Sequence, residues 1–268
     1  MAKVAILICS CDYYSDCWKP IIYSFDKFWP DCPYTKYIVS NYKSEELPNT
    51  VFVKVGNHKG WANDTKKALT QIDCDYILYF QEDYFLDRPV STAAIESHVA
   101  YCETNGINYL KLQDDRMLRD SKRIGDSIYC LNPIDVRYTV NTAVALCTKD
   151  LMSELCVENY TGWDFERKIV DYIKENHIVV NSQVLYSKEI ETKGFSTIPG
   201  NAIQRGMWTK SGVKFLKDNG FDDLINTRKQ QSNLYFWLWS HSPRNRFLRL
   251  PVWALIKVIR FFETHLKK

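Results

Sequence analysis

The sequence predicts an α/β fold built on a mostly parallel sheet flanked by helices. Lys3–Cys9 (KVAILIC) and Tyr76–Phe80 (YILYF) are short, unbroken apolar runs, the first rich in β-branched residues. Runs of this kind are the signature of strands buried on both faces. Between them candidate helices and strands alternate, the order that covers a parallel sheet on both sides.

The elements follow in turn. After the first strand a helix is expected over Lys19–Phe28, stopped by Pro30, then short strands over Tyr34–Ser40 and Val51–Val55. Ala62, Ala68, Leu69 and Ile72 recur at helical spacing within Trp61–Ile72. Beyond Tyr76–Phe80, helices are expected over Ser91–Thr104, Asp150–Val157 and Asp164–Glu175, and strands over Tyr109–Leu112, Arg137–Cys147 and Val179–Tyr186. Residues 187–207 carry Gly194, Pro199, Gly200 and Gly206 among polar residues and read as a long loop, a type that is often functional in compact domains. No internal repeat or low-complexity segment interrupts the order.

A chain of 268 residues with 46% hydrophobic and 25% charged residues is globular in composition. Its mean hydropathy of −0.33 excludes several membrane spans. The nine cysteines, at 9, 11, 17, 32, 74, 102, 130, 147 and 156, contain no C-x-x-C pair, and several sit in apolar runs. They are expected to be packed thiols in a reducing compartment rather than zinc ligands. Val4–Cys9, six residues long and followed by Asp12, is too short for a signal-peptide core. The net charge of +3 hides an asymmetry: from His241 onward seven Lys/Arg oppose the single acid Glu263, a local surplus of +6 that leaves −3 on residues 1–240. A basic C-terminal segment of this kind has its own purpose.

Chemistry is expected first where Tyr76–Phe80 runs into Gln81-Glu82-Asp83. Ligands of open α/β sheets collect outside the carboxyl ends of strands, and adjacent carboxylates there suit Mg or Mn carrying phosphates. The bland reading is that Glu82 and Asp83 cap a turn. The segment resembles the acidic strand-end motif of GT-A glycosyltransferases, in which a D-x-D or E-D pair binds a nucleotide-sugar diphosphate through a divalent cation. Upstream, VAILICSCD looks like their first strand and nucleotide-binding loop. The block KGWANDTKKALTQIDCDYILYFQED is similar to the helix, strand and acid segment of family 2 enzymes that build bacterial polysaccharide and lipopolysaccharide. The resemblance covers roughly residues 3–210, the size of one α/β domain, and Gln81 replaces the first acid of a strict D-x-D.

The resemblance implies transfer of a sugar, with inversion, from a nucleotide-sugar donor to a saccharide or lipid-linked acceptor. Asp83 would hold a divalent cation (Mn or Mg), with Glu82 and Trp61 at the donor site. Many inverting members carry a segment similar to Gly162-Trp163-Asp164-Phe165-Glu166, its carboxylate acting as general base on the acceptor hydroxyl. Asp164 and Glu166 are both candidates here, against plain helix capping, since acids in a first turn complement the helix dipole. For the nucleoside, Asp12 offers an acceptor for a ring N–H, and Tyr13 and Tyr14 offer stacking, with ordinary packing of both tyrosines as the alternative. Arg205, in Gly200–Trp208, supplies forked donors for a diphosphate under a closing loop; the alternative is a basic surface loop.

The five histidines show neither H-x-x-H nor H-E-x-x-H, so none is assigned a role. The chain also lacks G-x-S-x-G, GxxxxGK[ST] and G-x-G-x-x-G, against serine hydrolases, P-loop kinases and Rossmann dehydrogenases. After Pro251, Val252, Leu255, Ile256, Ile259, Phe262 and Leu266 share one helical face, and Lys257, Arg260, Thr264 and Lys267 another. This reads as an in-plane amphipathic helix on an anionic membrane surface, with a docked terminal helix and nucleic-acid binding as the alternatives; no nucleic-acid partner is expected. The expected organisation is a GT-A-like catalytic domain over 1–232 and a membrane-associating tail over 233–268, placed in the cytoplasm on the inner face of the cell membrane. The rival class is a non-catalytic nucleotide-binding or membrane-scaffolding protein that keeps the fold.

Overall fold

The computed structural model describes residues 2–113, 123–132, 134, 138–186, 188–232 and 258. The chain divides into two compact units, Met1–Ile198 and Pro199–Lys268. Among the described residues, the first unit holds eight strands: β1 (Val4–Cys9), β2 (Lys36–Ser40), β3 (Thr50–Lys54), β4 (Tyr76–Gln81), β5 (Tyr109–Lys111), β6 (Tyr129–Leu131), β7 (Ala145–Thr148) and β8 (Ser182–Leu185). They form one sheet in the order β3-β2-β1-β4-β7-β5-β8-β6. β1 lies parallel to β2 and β4, β2 to β3, and β5 to β8. β7 runs antiparallel between β4 and β5, and β6 antiparallel to β8. The unit's described residues also form helices α1 (Trp18–Phe28), α2 (Trp61–Leu69), α3 (Thr92–Asn105), α4 (Lys149–Leu155), α5 (Gly162–Glu175) and α6 (Ile190–Lys193), and a 3-10 helix over Asp12–Cys17. The result is a mixed, mostly parallel sheet flanked by helices.

The two-residue period of β1 and β4 explains why both strands are apolar throughout. Their register pairs Ile6 with Leu78, Leu7 with Tyr79 and Ile8 with Phe80, and all six are buried. Ala5, Leu7, Cys9, Ile77 and Tyr79 join one core that also contains Ala62, Ala68 and Leu69 of α2, Leu151 and Leu155 of α4, and Phe165 and Ile169 of α5. The alternate residues face the other way. There Phe80 meets Phe25 of α1 and Phe195, each at 5.1 Å between ring centroids.

The elements around β1 and β4 match the sequence expectations closely, whereas the second half differs. The strand expected over Arg137–Cys147 shrinks to Ala145–Thr148. Its partner β5 has three residues, and the register ends at Lys111 opposite Ala145. Upstream, polar groups are drawn into loop contacts: Tyr109 Oη donates to the Asn141 carbonyl at 3.2 Å, and Asn132 Nδ2 to the Thr139 carbonyl at 3.1 Å. β6 and α6 were not expected. In the second unit, a two-stranded hairpin of β9 (Ile203–Gln204) and β10 (Met207–Trp208) occupies part of the segment read as a long loop. α7 (Lys210–Asp218) follows, its N-terminus capped by Thr209 Oγ1, which accepts the Gly212 N–H at 2.9 Å. The amphipathic tail helix expected beyond Pro251 lies outside the described residues. Among the described residues, no helix is long and apolar enough to cross a membrane.

Candidate functional site

The chain leaves β1, builds β2 and β3 on one side, then crosses back to β4 on the other, so the β1/β4 junction is the topological switch point of the sheet. Crevices at the carboxyl ends of such strands are where α/β folds bind ligands. The loops that leave β1, β2, β3 and β4 there carry most of the residues singled out from the sequence.

After β1, Asp12 folds back onto the loop after β2. Its carboxylate accepts the backbone N–H groups of Asn41 at 2.9 Å, Tyr42 at 3.1 Å and Lys43 at 3.2 Å. The Asp12 N–H in turn donates to Asn41 Oδ1 at 3.1 Å. Asn41 Nδ2 continues the network to the Gly56 carbonyl after β3, at 3.0 Å. Tyr13 stands 70% exposed beside this network, edge-on to Tyr14 at 5.2 Å. Tyr42 is exposed as well, and its hydroxyl donates to Asn57 Oδ1.

At the end of β4, Glu82 is buried and Asp83 half-buried. Gln81 Nε2 donates to the Tyr79 hydroxyl, which also accepts the indole N–H of Trp61 at 3.1 Å. Trp61 heads α2 and packs on Phe165 of α5 at 4.8 Å. The next residue, Tyr84, is buried, and its hydroxyl donates to the Thr142 carbonyl at 3.0 Å. Burial raises the Tyr84 phenol far above its ordinary range, and the negative charges of Asp83, Glu166 and Glu82 add to the effect.

Thr142 also donates its hydroxyl to Glu166 Oε1 at 2.5 Å. Tyr84, Thr142 and Glu166 therefore form a hydrogen-bonded path from the acidic end of β4 to α5. Asp164 is engaged elsewhere: its carboxylate accepts the Thr161 hydroxyl at 2.7 Å, while Thr161 Oγ1 accepts the Asp164 N–H at 3.1 Å. The Thr161 backbone N–H also donates to Asp164 Oδ2 at 3.3 Å, and together with the Asp164 N–H to Thr161 Oγ1 bond it makes a capping box at the start of α5. Lys168 Nζ lies 2.9 Å from the same carboxylate. Hydrogen bonds from Thr161 and Lys168 hold the Asp164 carboxyl at about 2. The sequence alone left Asp164 and Glu166 unranked; in the fold they occupy different surroundings.

Arg205 belongs to the second unit, in the turn between β9 and β10, with a φ of 53°. Sequence reasoning did not single out Tyr84, Thr142, Asn41, His58 or Asp64, all of which lie in or beside these loops. Tyr84 had a signal in its place next to Glu82-Asp83, whereas Thr142 was read as part of a strand.

Among the described residues, no three His, Cys, Asp or Glu side chains gather into a metal site. All nine cysteines are free thiols, and burial pushes Cys9 up to about 12. Glu82 and Asp83 are adjacent in the chain, the first buried and the second half-buried.

No protein-family model matches the chain, and no curated protein matches it. Solved structures resemble it in fold. S. aureus TarS matches at a TM-score of 0.46 and 11% identity over 72% of this chain, which spans 36% of the TarS chain. The fragment TarS 1–349 gives a TM-score of 0.48 and 11% identity, again over 72% of this chain and 59% of the fragment. A cytidylyltransferase from Leptospira borgpetersenii gives 0.45 and 14% identity over 74% of this chain and 82% of its own.

Proposed function

We propose that the protein is an inverting glycosyltransferase that moves a sugar from a nucleotide-sugar donor to a saccharide acceptor. The observation that carries this reading is the path from Glu82-Asp83 through Tyr84 and Thr142 to Glu166. It couples a phosphate-side acidic pair to a second, separately held carboxylate, the two groups that sugar transfer needs. Glu166 takes the proton of the acceptor hydroxyl as its oxygen bonds to the sugar's anomeric carbon, and the bond to the nucleoside diphosphate breaks with its electron pair leaving on phosphate. Attack opposite the leaving group inverts the anomeric centre. Asp83, helped by Glu82, would hold the divalent cation, which when bound neutralises charge on the departing diphosphate. Asp164 serves α5 as its cap.

The acceptor is lipid-linked, and the basic, aromatic segment over 233–268 holds the enzyme on the cytoplasmic face of an anionic membrane; its +6 surplus supports this reading. The test is a panel of UDP-, GDP-, dTDP- and CMP-sugars, with and without Mn, assayed for thermal shift and slow donor hydrolysis. A shift and hydrolysis with one donor class, both weakened by Asp83→Ala, are expected. No shift with any donor would overturn the reading.

A further inference from the structure

His58 is held more firmly than its place on the surface requires. It lies in Gly56-Asn57-His58-Lys59-Gly60, between β3 and α2, where both glycines take positive φ, 76° and 93°. Asp64, 5% exposed on the first turn of α2, grips this loop with both carboxylate oxygens. Oδ2 lies 2.5 Å from His58 Nδ1, and Oδ1 accepts the Lys59 N–H at 3.1 Å. A buried carboxylate can only accept, so Nδ1 carries the hydrogen. In the neutral imidazole the other nitrogen, Nε2, is then an acceptor on the side of the ring away from Asp64. The imidazole itself is 55% exposed.

The position of this acceptor matters because the two oxygens of Asp12, the acceptor expected to meet a ring N–H, already receive three backbone N–H groups. Thr65, next to Asp64, lies 3.4 Å from Cys9 Sγ through its hydroxyl, Cys9 pairs with Gln81, and Trp61 donates its indole N–H to Tyr79 of β4 at 3.1 Å, so α2 brings the His58–Asp64 pair toward the β1/β4 junction. Thr142, just before β7, bonds Glu166, whose neighbour Phe165 packs on Trp61 at 4.8 Å. A nucleoside whose diphosphate lies at β4 and that extends over the loops leaving β1, β2 and β3 meets this acceptor.

We propose that His58, oriented by Asp64, reads the nucleobase of the donor by accepting a hydrogen bond from an N–H on the base edge. This inference rests on the proposed nucleotide-sugar reading and adds a specificity residue to it. Asp64 is the positioning residue, and its carboxylate fixes the tautomer that makes Nε2 an acceptor. Exchanging Asp64 for Asn presents an N–H to Nδ1 instead. The ring then carries its hydrogen on Nε2 and offers a donor where the base needs an acceptor.

The test is calorimetric titration of the full chain with UDP, GDP, dTDP, CDP and ADP, then with the matching mononucleotide, ribose 5-phosphate and inorganic pyrophosphate. The wild-type protein should bind one of the nucleotides. H58A and D64N should each weaken that nucleotide and its mononucleotide by about fivefold or more, the worth of one hydrogen bond, while ribose 5-phosphate and pyrophosphate are unchanged. In D64N, imidazole ¹⁵N shifts should show the hydrogen moved to Nε2. If no nucleotide binds the wild-type protein, the nucleotide-sugar reading fails and this inference with it. If a nucleotide binds but H58A leaves its affinity unchanged, or weakens pyrophosphate equally, the inference fails and the reading stands. A D64N protein that shows the flipped tautomer yet binds as the wild type does would overturn it too.

Discussion

Thr142 donates its hydroxyl to Glu166 at 2.5 Å although 24 positions separate them in the chain. Two residues before Glu166, Asp164 is bound to Thr161 and Lys168. A base needs a lone pair directed at its substrate, and Asp164 uses Oδ2 in the cap and Oδ1 with Lys168. Glu166→Gln should therefore lower turnover by about 10²- to 10⁴-fold, the usual worth of a positioned general base, with donor affinity retained. Asp164→Asn should stay within a few-fold of the wild type. Single-turnover transfer assays on both variants check the ranking, and a reversed order would move the base to Asp164.

The cap makes a separate prediction about acid stability. The Asp164 carboxyl sits at about 2 in the fold, below an ordinary value of 3.8, so the folded state favours its ionised form. Its contribution is fully present above pH 3.8 and is lost as the pH falls through about 2. Asp164→Ala should lower the melting temperature at neutral pH, and the gap from wild type should close on acidification through that window. Thermal melts of the two proteins at stepped pH measure it; a gap that persists at pH 2 would mean the cap acts without its charge.

Asp12 and Asn41 bind each other reciprocally across the loops after β1 and β2. Asp12→Ala removes the acceptor of three backbone N–H groups at once, that of Asn41 part-buried and those of Tyr42 and Lys43 exposed. Hydrogen bonds to charged groups contribute about 1.5–3 kcal/mol each, and water will satisfy part of what is lost. A destabilisation of about 2 kcal/mol is expected, read by urea unfolding, together with weaker nucleotide binding as the loops loosen. Unchanged stability would show that these contacts contribute nothing net.

The fold around β1 and β4 was legible in the sequence because it rests on local signals: unbroken apolar runs, and helical spacing between them. β6 and the true extent of β7 were not, because their three and four residues are set by neighbouring strands rather than by their own pattern. The candidate site was half legible. Glu82-Asp83 and Asp164/Glu166 are adjacent or nearly so in sequence and could be found as motifs. The Thr161-x-x-Asp164 spacing of a capping box was also present, and it would have separated Asp164 from Glu166. Asp12 with Asn41, Thr142 with Glu166, and the reach of Tyr84 to Thr142 are long-range pairings created by the sheet order. No sequence window contains them.

The C-terminal segment yields the last prediction from its sequence alone. Between 233 and 268, Phe236, Trp237, Trp239, Trp253, Phe261 and Phe262 alternate with seven basic residues, and the single acid is Glu263. Basic residues near an anionic surface contribute about 1 kcal/mol each, and salt weakens them over a screening length of about 8–10 Å. Tryptophan and phenylalanine add an apolar contribution that salt does not screen. The two together predict binding to vesicles containing phosphatidylserine or phosphatidylglycerol at low salt, partial release in high salt, and little binding to neutral phosphatidylcholine. A chain ending near Asn233 should float with none of them. Liposome flotation of the full chain and the shortened one measures this. If both bind anionic vesicles equally, the membrane contact lies elsewhere; if neither binds at low salt, the segment is a docked terminal helix or a protein-binding surface, and a lipid-linked acceptor must be reached by other means.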